Sequence, residues 1–334
     1  MKVKDLLRYR QAWLGVALLW IILFHGPWDM GVLGYFKSIG YGGVDICLFA
    51  SGIGCFYSLS SDPNVVSFMK RRVKRLIPTY VIFIIFWLIY QYIIGKFNFQ
   101  MAIGNILALQ NFTGHGRDFN WYISAIFLLY ILAPYFKIIA EGATPARKIL
   151  FTAFLLICSV PFWGATTYII TLTRLPIFFI GMIVAEASKK DKRIGKKEMI
   201  MLSAAFMVGF ALLLCSFVFA KDYLWSHGLY WYPFILITPF LCFMISYVAM
   251  LLEKTKITKP IVGFLSLCGG YSFEIYLMHI FVFEAVRKII SARGLSDIGY
   301  LVWAAGLVCI PVGCFLLRRT ADLFNRLCKP KAVS

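Results

Sequence analysis

Long apolar runs, broken by short polar segments, make up most of the chain as far as residue 317. A helix that spans a membrane needs about 20 apolar residues. The runs predict an all-α, polytopic transmembrane helical bundle of about ten spans, as one integral-membrane domain over 1–334 with a core at 12–317 and a tail at 318–334. The predicted spans lie near 12–30, 40–60, 78–95, 120–140, 148–165, 173–188, 199–220, 231–252, 262–285 and 299–317.

Composition supports this pattern. Of 334 residues, 61% are hydrophobic and 15% charged, against about 45–50% and about 25% in soluble domains. A soluble globular protein, a disordered tail and a disulfide-rich secreted domain are therefore excluded. The nine cysteines form no Cys-x-x-Cys pair, so they are interpreted as small buried hydrophobes and no metal site is predicted.

The distribution of the basic residues predicts an orientation. A net charge of +19 would favour a nucleic-acid partner in a soluble protein. Here 26 Lys and Arg residues fall on one predicted side of the bilayer and 7 on the other, while Arg174 lies inside a span. Basic residues concentrate on the cytoplasmic side of polytopic proteins. The split therefore predicts that both termini are cytoplasmic, and it argues against nucleic acid as a partner.

Five ionisable residues lie inside predicted spans, where an unpaired charge costs several kcal/mol. They are His25, Asp45, Arg174, Glu274 and His279. At about 1.5 Å per residue, His25 lies roughly 20 Å above the inner surface, and Glu274 and His279 roughly 18 and 25 Å up the ninth span. Asp45 and Arg174 lie near the outer starts of their spans. These depths predict a buried polar site in the outer half of the membrane.

Structural alternatives exist for each of these residues. A histidine inside a span can serve only as a hydrogen-bonding group, and Asp45 can pair with Arg174 simply to hold two helices together. Glu274 lies about 140° around the helix from His279, so the two do not share a face. Tyr276, three residues before His279, does share its face.

A second feature is the basic run at 70–78, which contains Arg72 and Arg75 followed by Pro78. The run can anchor the topology or bind anionic lipid headgroups. Arg72 and Arg75 are three residues apart and can present two guanidinium groups to phosphates from one helical face. A phosphorylated cytosolic ligand is therefore a third interpretation. Coenzyme A, a nucleotide and a lipid phosphate would each fit.

Taken in order, six segments resemble acyltransferase family 3, multi-span enzymes that acylate bacterial surface carbohydrates and related acceptors. The resemblance covers the first to the ninth predicted span. The segments are LGVALLWIILFH, GGVDICLFASG, FMKRRVKRLIPTY, NWYISAIFLLYILAPYF, TRLPIFFIGM and YSFEIYLMHIFVF.

One position departs from the family pattern. The family places an arginine eleven residues before the histidine of the first span, where this chain has Leu14. Arg10, one helical turn nearer the cytoplasm, is the nearest arginine. Either Arg10 takes over this role or the role is lost.

The resemblance implies an acyl-CoA donor, with acetyl-CoA expected, as a co-substrate and no permanently bound cofactor. The donor would bind near Arg10, Arg72 and Arg75, and its thioester would reach His25. His25 would act as a general base or carry the acyl group transiently, and Asp45 could orient an imidazole.

On the acceptor side, the resemblance implies a hydroxyl of a carbohydrate or lipid-linked glycan of the cell envelope. The enzyme would then be a multi-pass protein of the bacterial plasma membrane, surrounded by lipid. The residues expected to line the acceptor pocket are Trp121, Arg174, Glu274, Tyr276 and His279.

Another function remains open, that of a transporter or exporter of a carbohydrate or lipid-linked intermediate. In that case the charges inside the membrane would line a translocation path. The absence of a detectable internal repeat and the Arg-x-x-Arg-x-x-Pro pattern argue against it.

Overall fold

The computed structural model describes residues 2–27, 29–112, 121–219, 221–294 and 299–327. Within these ranges the chain is helical and contains no β-strand, as predicted. In chain order the helices are α1 (Val3–Leu7), α2 (Arg10–His25), α3 (Gly34–Ser38), α4 (Gly43–Ser61), α5 (Val65–Ile93), α6 (Phe99–Ile106), α7 (Trp121–Gly142), α8 (Pro145–Ile157), α9 (Thr166–Leu172), α10 (Leu175–Lys189), α11 (Lys196–Val218), α12 (Lys221–Ser226), α13 (Pro233–Leu252), α14 (Lys259–Gly270), α15 (Ser272–Ala292) and α16 (Gly299–Leu327).

Local sequence explains where several of these helices begin. Asn64 caps α5, its side-chain oxygen accepting a hydrogen bond from the Ser67 amide. Thr144 caps α8 in the same way. Proline stands in the first turn of α8, α10, α13 and α14, where its missing amide proton leaves no helical hydrogen bond unmade.

Eight helical segments in the described ranges are long and apolar enough to cross a membrane, and one bent pair adds a ninth candidate. The polytopic fold is therefore confirmed, but two of the ten predicted spans differ from plain transmembrane helices. The apolar helix α2 has only 16 residues, fewer than a full crossing needs.

The span predicted near 262–285 is not one continuous helix. The chain bends by 77° between α14 and α15, and Tyr271 is the single residue between them. The depths estimated for Glu274 and His279 along a straight ninth span therefore do not hold. The two residues instead lie in the first and second turns of α15.

Ion pairs bring together many of the chain segments that carry the basic residues. Lys2 pairs with Asp191, and Lys189 pairs with Glu141. Arg8 reaches Glu253 just beyond α13. We refer to this end of the bundle, where α4, α7, α10 and α13 finish, as the basic end. Residues 328–334 of the predicted tail lie outside the described residues, and α16 continues through Leu327.

Glycines allow the central helices to approach closely. In α2 and α14, a Cβ on Gly15 would overlap the carbonyl of Leu265, and a Cβ on Gly269 would overlap the carbonyl of Gln11. Since no hydrophobic effect drives helices together within lipid, such small residues permit the backbone contact that holds them. The α2–α14 pair, which carries His25 at the far end of α2, therefore depends on these glycines.

We expect Gly269→Ala to destabilise the protein by about 1–3 kcal/mol, because the added methyl group meets backbone that cannot move aside. Gly263→Ala in the same helix is the matched control, because nothing lies within 4 Å of its Cβ position. Thermal unfolding of the purified protein in detergent would measure both. Equal melting temperatures for the two variants would contradict this account of the packing.

Candidate active site

Two histidines from different helices meet. His25 is the last residue of α2, and His279 lies in the second turn of α15. His279 Nε2 is 3.3 Å from His25 Nδ1, and the ring centroids are 4.9 Å apart. His279 is completely buried, whereas the His25 side of the pair is exposed. One imidazole is thus reachable and the other supports it from within the bundle.

Their hydrogen-bond partners assign the tautomers. His279 Nδ1 lies 3.0 and 2.8 Å from the carbonyl oxygens of Ile275 and Tyr276, so it must carry a proton and donate it. In the neutral ring, His279 Nε2 is then an acceptor. His25 Nδ1 lies near both His279 Nε2 and the Ile21 carbonyl, two acceptors, and so it also carries its proton. The lone pair of His25 is therefore on Nε2.

Two tyrosines flank this pair. The Tyr276 ring lies 5.9 Å from the His279 ring, as expected from their shared face. Tyr122 donates its backbone amide proton to the Tyr276 hydroxyl, and the two tyrosine rings are 4.8 Å apart. Sequence reasoning missed Tyr122, because nothing distinguishes it from the other aromatic residues in its apolar run.

A cavity of about 770 Å³, counting the space open to solvent, runs from the basic end toward the histidines. One stripe of α2 forms a wall, in which Arg10, Leu14, Leu18 and Ile21 follow at helical spacing. His25 is the next residue on that stripe, one turn beyond Ile21. Other lining residues include Val44, Cys47, Arg72, Arg75, Tyr122, Ile126, Tyr130 and Tyr276.

Three arginines line this cavity near the basic end. Arg10, Arg72 and Arg75 also line a second cavity of about 780 Å³ that opens beside the first. None of the three forms an ion pair with a carboxylate within the described parts of the chain. Their charges are therefore available to an anionic ligand. The structure thus brings together Arg72 and Arg75 of α5 and Arg10 of α2, the three arginines expected near the donor.

Arg72 is the most constrained of the three, with 9% of its surface exposed. Its guanidinium lies over the rings of Phe68 and Tyr130, at 5.1 and 5.4 Å from their centroids. Nη2 donates to the Gly54 carbonyl at 2.9 Å. A Cβ on Gly54 would lie 2.7 Å from Nη1 of Arg10. This glycine therefore supports one arginine and leaves space for the other, a role the sequence pattern does not reveal.

The neighbouring Arg71 is held differently. It pairs with Asp62 just after α4, and its hydrogen bond holds the pKa of that carboxyl below its usual range. Arg71 lines neither arginine cavity. Within one basic run, the structure thus separates a paired surface arginine from the unpaired cavity arginines.

Asp45 and Arg174 form a separate buried ion pair. Arg174 Nε lies 3.4 Å from Asp45 Oδ2, and the two side chains are 1% and 0% exposed. The Arg174 guanidinium lies 5.1 Å from the ring centroids of both Trp121 and Trp231. Asp45 makes no hydrogen bond to His25 or to His279. The structure therefore shows Asp45 paired with Arg174, the structural alternative to a role beside an imidazole.

Glu274 lies apart from this group, at the corner between α14 and α15. Arg318 of α16 binds its carboxylate in a bidentate manner, at 2.9 and 2.8 Å. The same guanidinium donates to the Gly270 carbonyl and lies 3.5 Å from the Tyr271 ring centroid. The depth estimated for Glu274 assumed one continuous helix, whereas the bend starts a new helix at Ser272.

A family model described as an acyltransferase domain matches residues 13–319 of the chain. No curated protein and no solved structure matches the chain.

Proposed function

Because this chain belongs to acyltransferase family 3, matched over residues 13–319, and is therefore a multi-pass membrane acyltransferase, we propose that it uses a cytosolic acyl-CoA, with acetyl-CoA as the expected donor. The acceptor is a hydroxyl of a cell-envelope carbohydrate or lipid-linked glycan, at the bacterial plasma membrane. One observation carries the proposal. A single cavity leads from three unpaired arginines to within one helical turn of an accessible histidine.

The arginine end suits the donor. Guanidinium groups bind phosphates through charge-assisted hydrogen bonds, and coenzyme A carries three phosphates. Arg10, Arg72 and Arg75 line both adjoining cavities. The leucine and isoleucine stripe of α2 then offers an apolar wall to the pantetheine arm. From Arg10 to His25 this wall extends roughly 22 Å along the helix, which is a suitable span for that arm.

The histidine end suits proton transfer. His25 Nε2 takes the proton of the acceptor hydroxyl while the hydroxyl oxygen attacks the thioester carbonyl carbon. The C–S bond breaks, and the coenzyme A sulfur receives the proton back from His25. The products are an O-acyl ester and free coenzyme A. His279 is a positioning residue, because it accepts from His25 Nδ1–H and fixes the tautomer that leaves Nε2 basic.

Acceptor binding falls to the aromatic groups at the histidine end of the same cavity. Tyr276 and Tyr122 border the cavity near His279. Trp121 packs against Arg174, so the Asp45–Arg174 pair acts by fixing that aromatic wall rather than by touching an imidazole. Glu274 is left out of the acceptor site, since Arg318 takes its carboxylate.

Loss of the cavity arginines is the test of donor binding. Coenzyme A is expected to raise the melting temperature of the wild-type protein, because a ligand that binds only the folded state stabilises it. Arg72→Ala/Arg75→Ala removes two of the three charges, so the shift should be lost. Arg71→Ala, in the same run but outside the cavity, should retain it. A wild-type shift that survives the double substitution would place coenzyme A elsewhere.

A further inference from the structure

A third cavity at the basic end, of about 620 Å³, has only apolar lining residues. Its walls come from α10, α11 and α13, its back from α2 and α4, and its floor from α1 and the turn before α11. It shares no arginine with the two cavities that Arg10, Arg72 and Arg75 line. Representative lining residues are Trp13, Phe49, Val184, Ile194, Leu202 and Cys242.

This cavity lies between α10 and α11, two helices apolar enough to lie within a membrane. Helix α11 packs along α13 but makes little contact with α10, although the two are consecutive in sequence. Only 11% of the apolar window of α11 is buried inside the protein. An apolar group can therefore enter from the hydrocarbon region without crossing a polar surface.

The floor is held in place by several bonds. The Val3 amide donates to the Lys192 carbonyl at 3.0 Å, and the Ser246 hydroxyl donates to the Leu6 carbonyl at 3.1 Å. Lys2 pairs with Asp191 at 2.5 Å. Helix α1 and the turn are thus fixed beneath the cavity.

Basic side chains gather around this floor. The acids beside them are engaged, since Asp191 pairs with Lys2 and Lys4, and Glu198 accepts from the Gly195 amide. Four exposed basic residues flanking Ile194 make no ion pair within the described residues: Lys192, Arg193, Lys196 and Lys197.

We infer that this place binds one anionic phospholipid of the surrounding bilayer, with an acyl chain in the apolar cavity and the phosphate against the basic turn. The lipid acyl chain would bury the apolar surface of the cavity, which no protein side chain covers. The headgroup brings negative charge to unpaired lysines and an arginine, and basic pockets between transmembrane helices recognise anionic headgroups in this way. The inference does not depend on the acyl-transfer proposal.

Native mass spectrometry of the full-length protein in detergent can test the site. Phosphatidylglycerol is expected to bind at least roughly tenfold more tightly than phosphatidylcholine with the same acyl chains. The combined variant Lys192→Gln/Arg193→Gln/Lys196→Gln/Lys197→Gln should lose this preference. As a control, Lys254→Gln/Lys256→Gln/Lys259→Gln removes exposed charges from another basic segment and should keep it.

The acyl-chain half of the site has its own variant. Leu202→Trp fills the cavity from α11, little of which is buried inside the protein, and should weaken the binding of phosphatidylglycerol severalfold. Equal affinity of the wild type for the two lipids would overturn the inference. Unchanged lipid binding in both the glutamine variant and Leu202→Trp would also overturn it, because the lipid would then bind elsewhere. Competition by glycerol phosphate as effective as that of the intact lipid would do the same, because no acyl chain would then be bound.

Discussion

Replacing His25 by alanine is expected to lower the rate of acyl transfer by about 10²–10⁴-fold, the range that positioned general-acid–base groups supply. His25 contributes the only basic nitrogen of the histidine pair that points to an accessible surface. His279 cannot replace it, because His279 is completely buried and its Nδ1 is committed to two carbonyls. The fold should survive, since the His25 side chain is exposed.

Release of coenzyme A thiol from acetyl-CoA, in reconstituted vesicles or in detergent, would measure the effect. The matched control is His227→Ala, because His227 is only half-buried, stacks on Tyr223 and lies outside the cavities described above. Its activity should equal that of the wild type. Full activity of His25→Ala, in protein that melts normally, would remove His25 from the mechanism.

Asp45→Ala is expected to destabilise the protein by about 3–5 kcal/mol, because it leaves the charge of Arg174 buried and unpaired. The two side chains are at most 1% exposed, and Arg174 is confined between two tryptophan rings. The pair holds the beginnings of α4 and α10 together. Loss of the carboxylate should therefore also disturb the aromatic wall around Trp121.

Two further variants separate this effect from the simple loss of a carboxylate. Asp62→Ala breaks an exposed pair with Arg71 and should change stability by no more than about 1 kcal/mol. Asp45→Ala/Arg174→Met removes both charges and should recover part of the loss. Thermal unfolding compares the four proteins. If Asp45→Ala melts like Asp62→Ala, the buried pair makes no special contribution.

Much of the architecture is legible in the sequence, because the bilayer makes apolar length nearly sufficient to predict a helix. His25 and Arg174 are visible for the same reason, since a charged or polar residue inside an apolar run is conspicuous. The spacing of Arg72 and Arg75 alone indicates that the two side chains lie on one face of a helix. Each of these predictions depends only on residues that are close together in the sequence and lie within one helix.

Contacts between distant segments account for what the sequence does not show. The bend at Tyr271 interrupts a continuous apolar run that contains no proline, and Arg318, 47 residues later, closes the corner. The role of Gly54 depends on two arginines from two other helices. Similarly, a shared depth predicted one cluster of five ionisable residues. The packing instead separates them into the histidine pair, the Asp45–Arg174 ion pair and Glu274, which Arg318 binds at the corner between α14 and α15.

The corner also has a practical consequence for fusion proteins. A reporter joined at residue 317, where the last apolar run ends, would be attached immediately before Arg318 and would remove the side chain that binds Gly270, Tyr271 and Glu274. Reporters intended to map topology belong after Leu327, where α16 ends. A truncation series designed from hydropathy alone would compare proteins that keep Arg318 with proteins that lack it, and so would mix topology with the loss of the corner contacts.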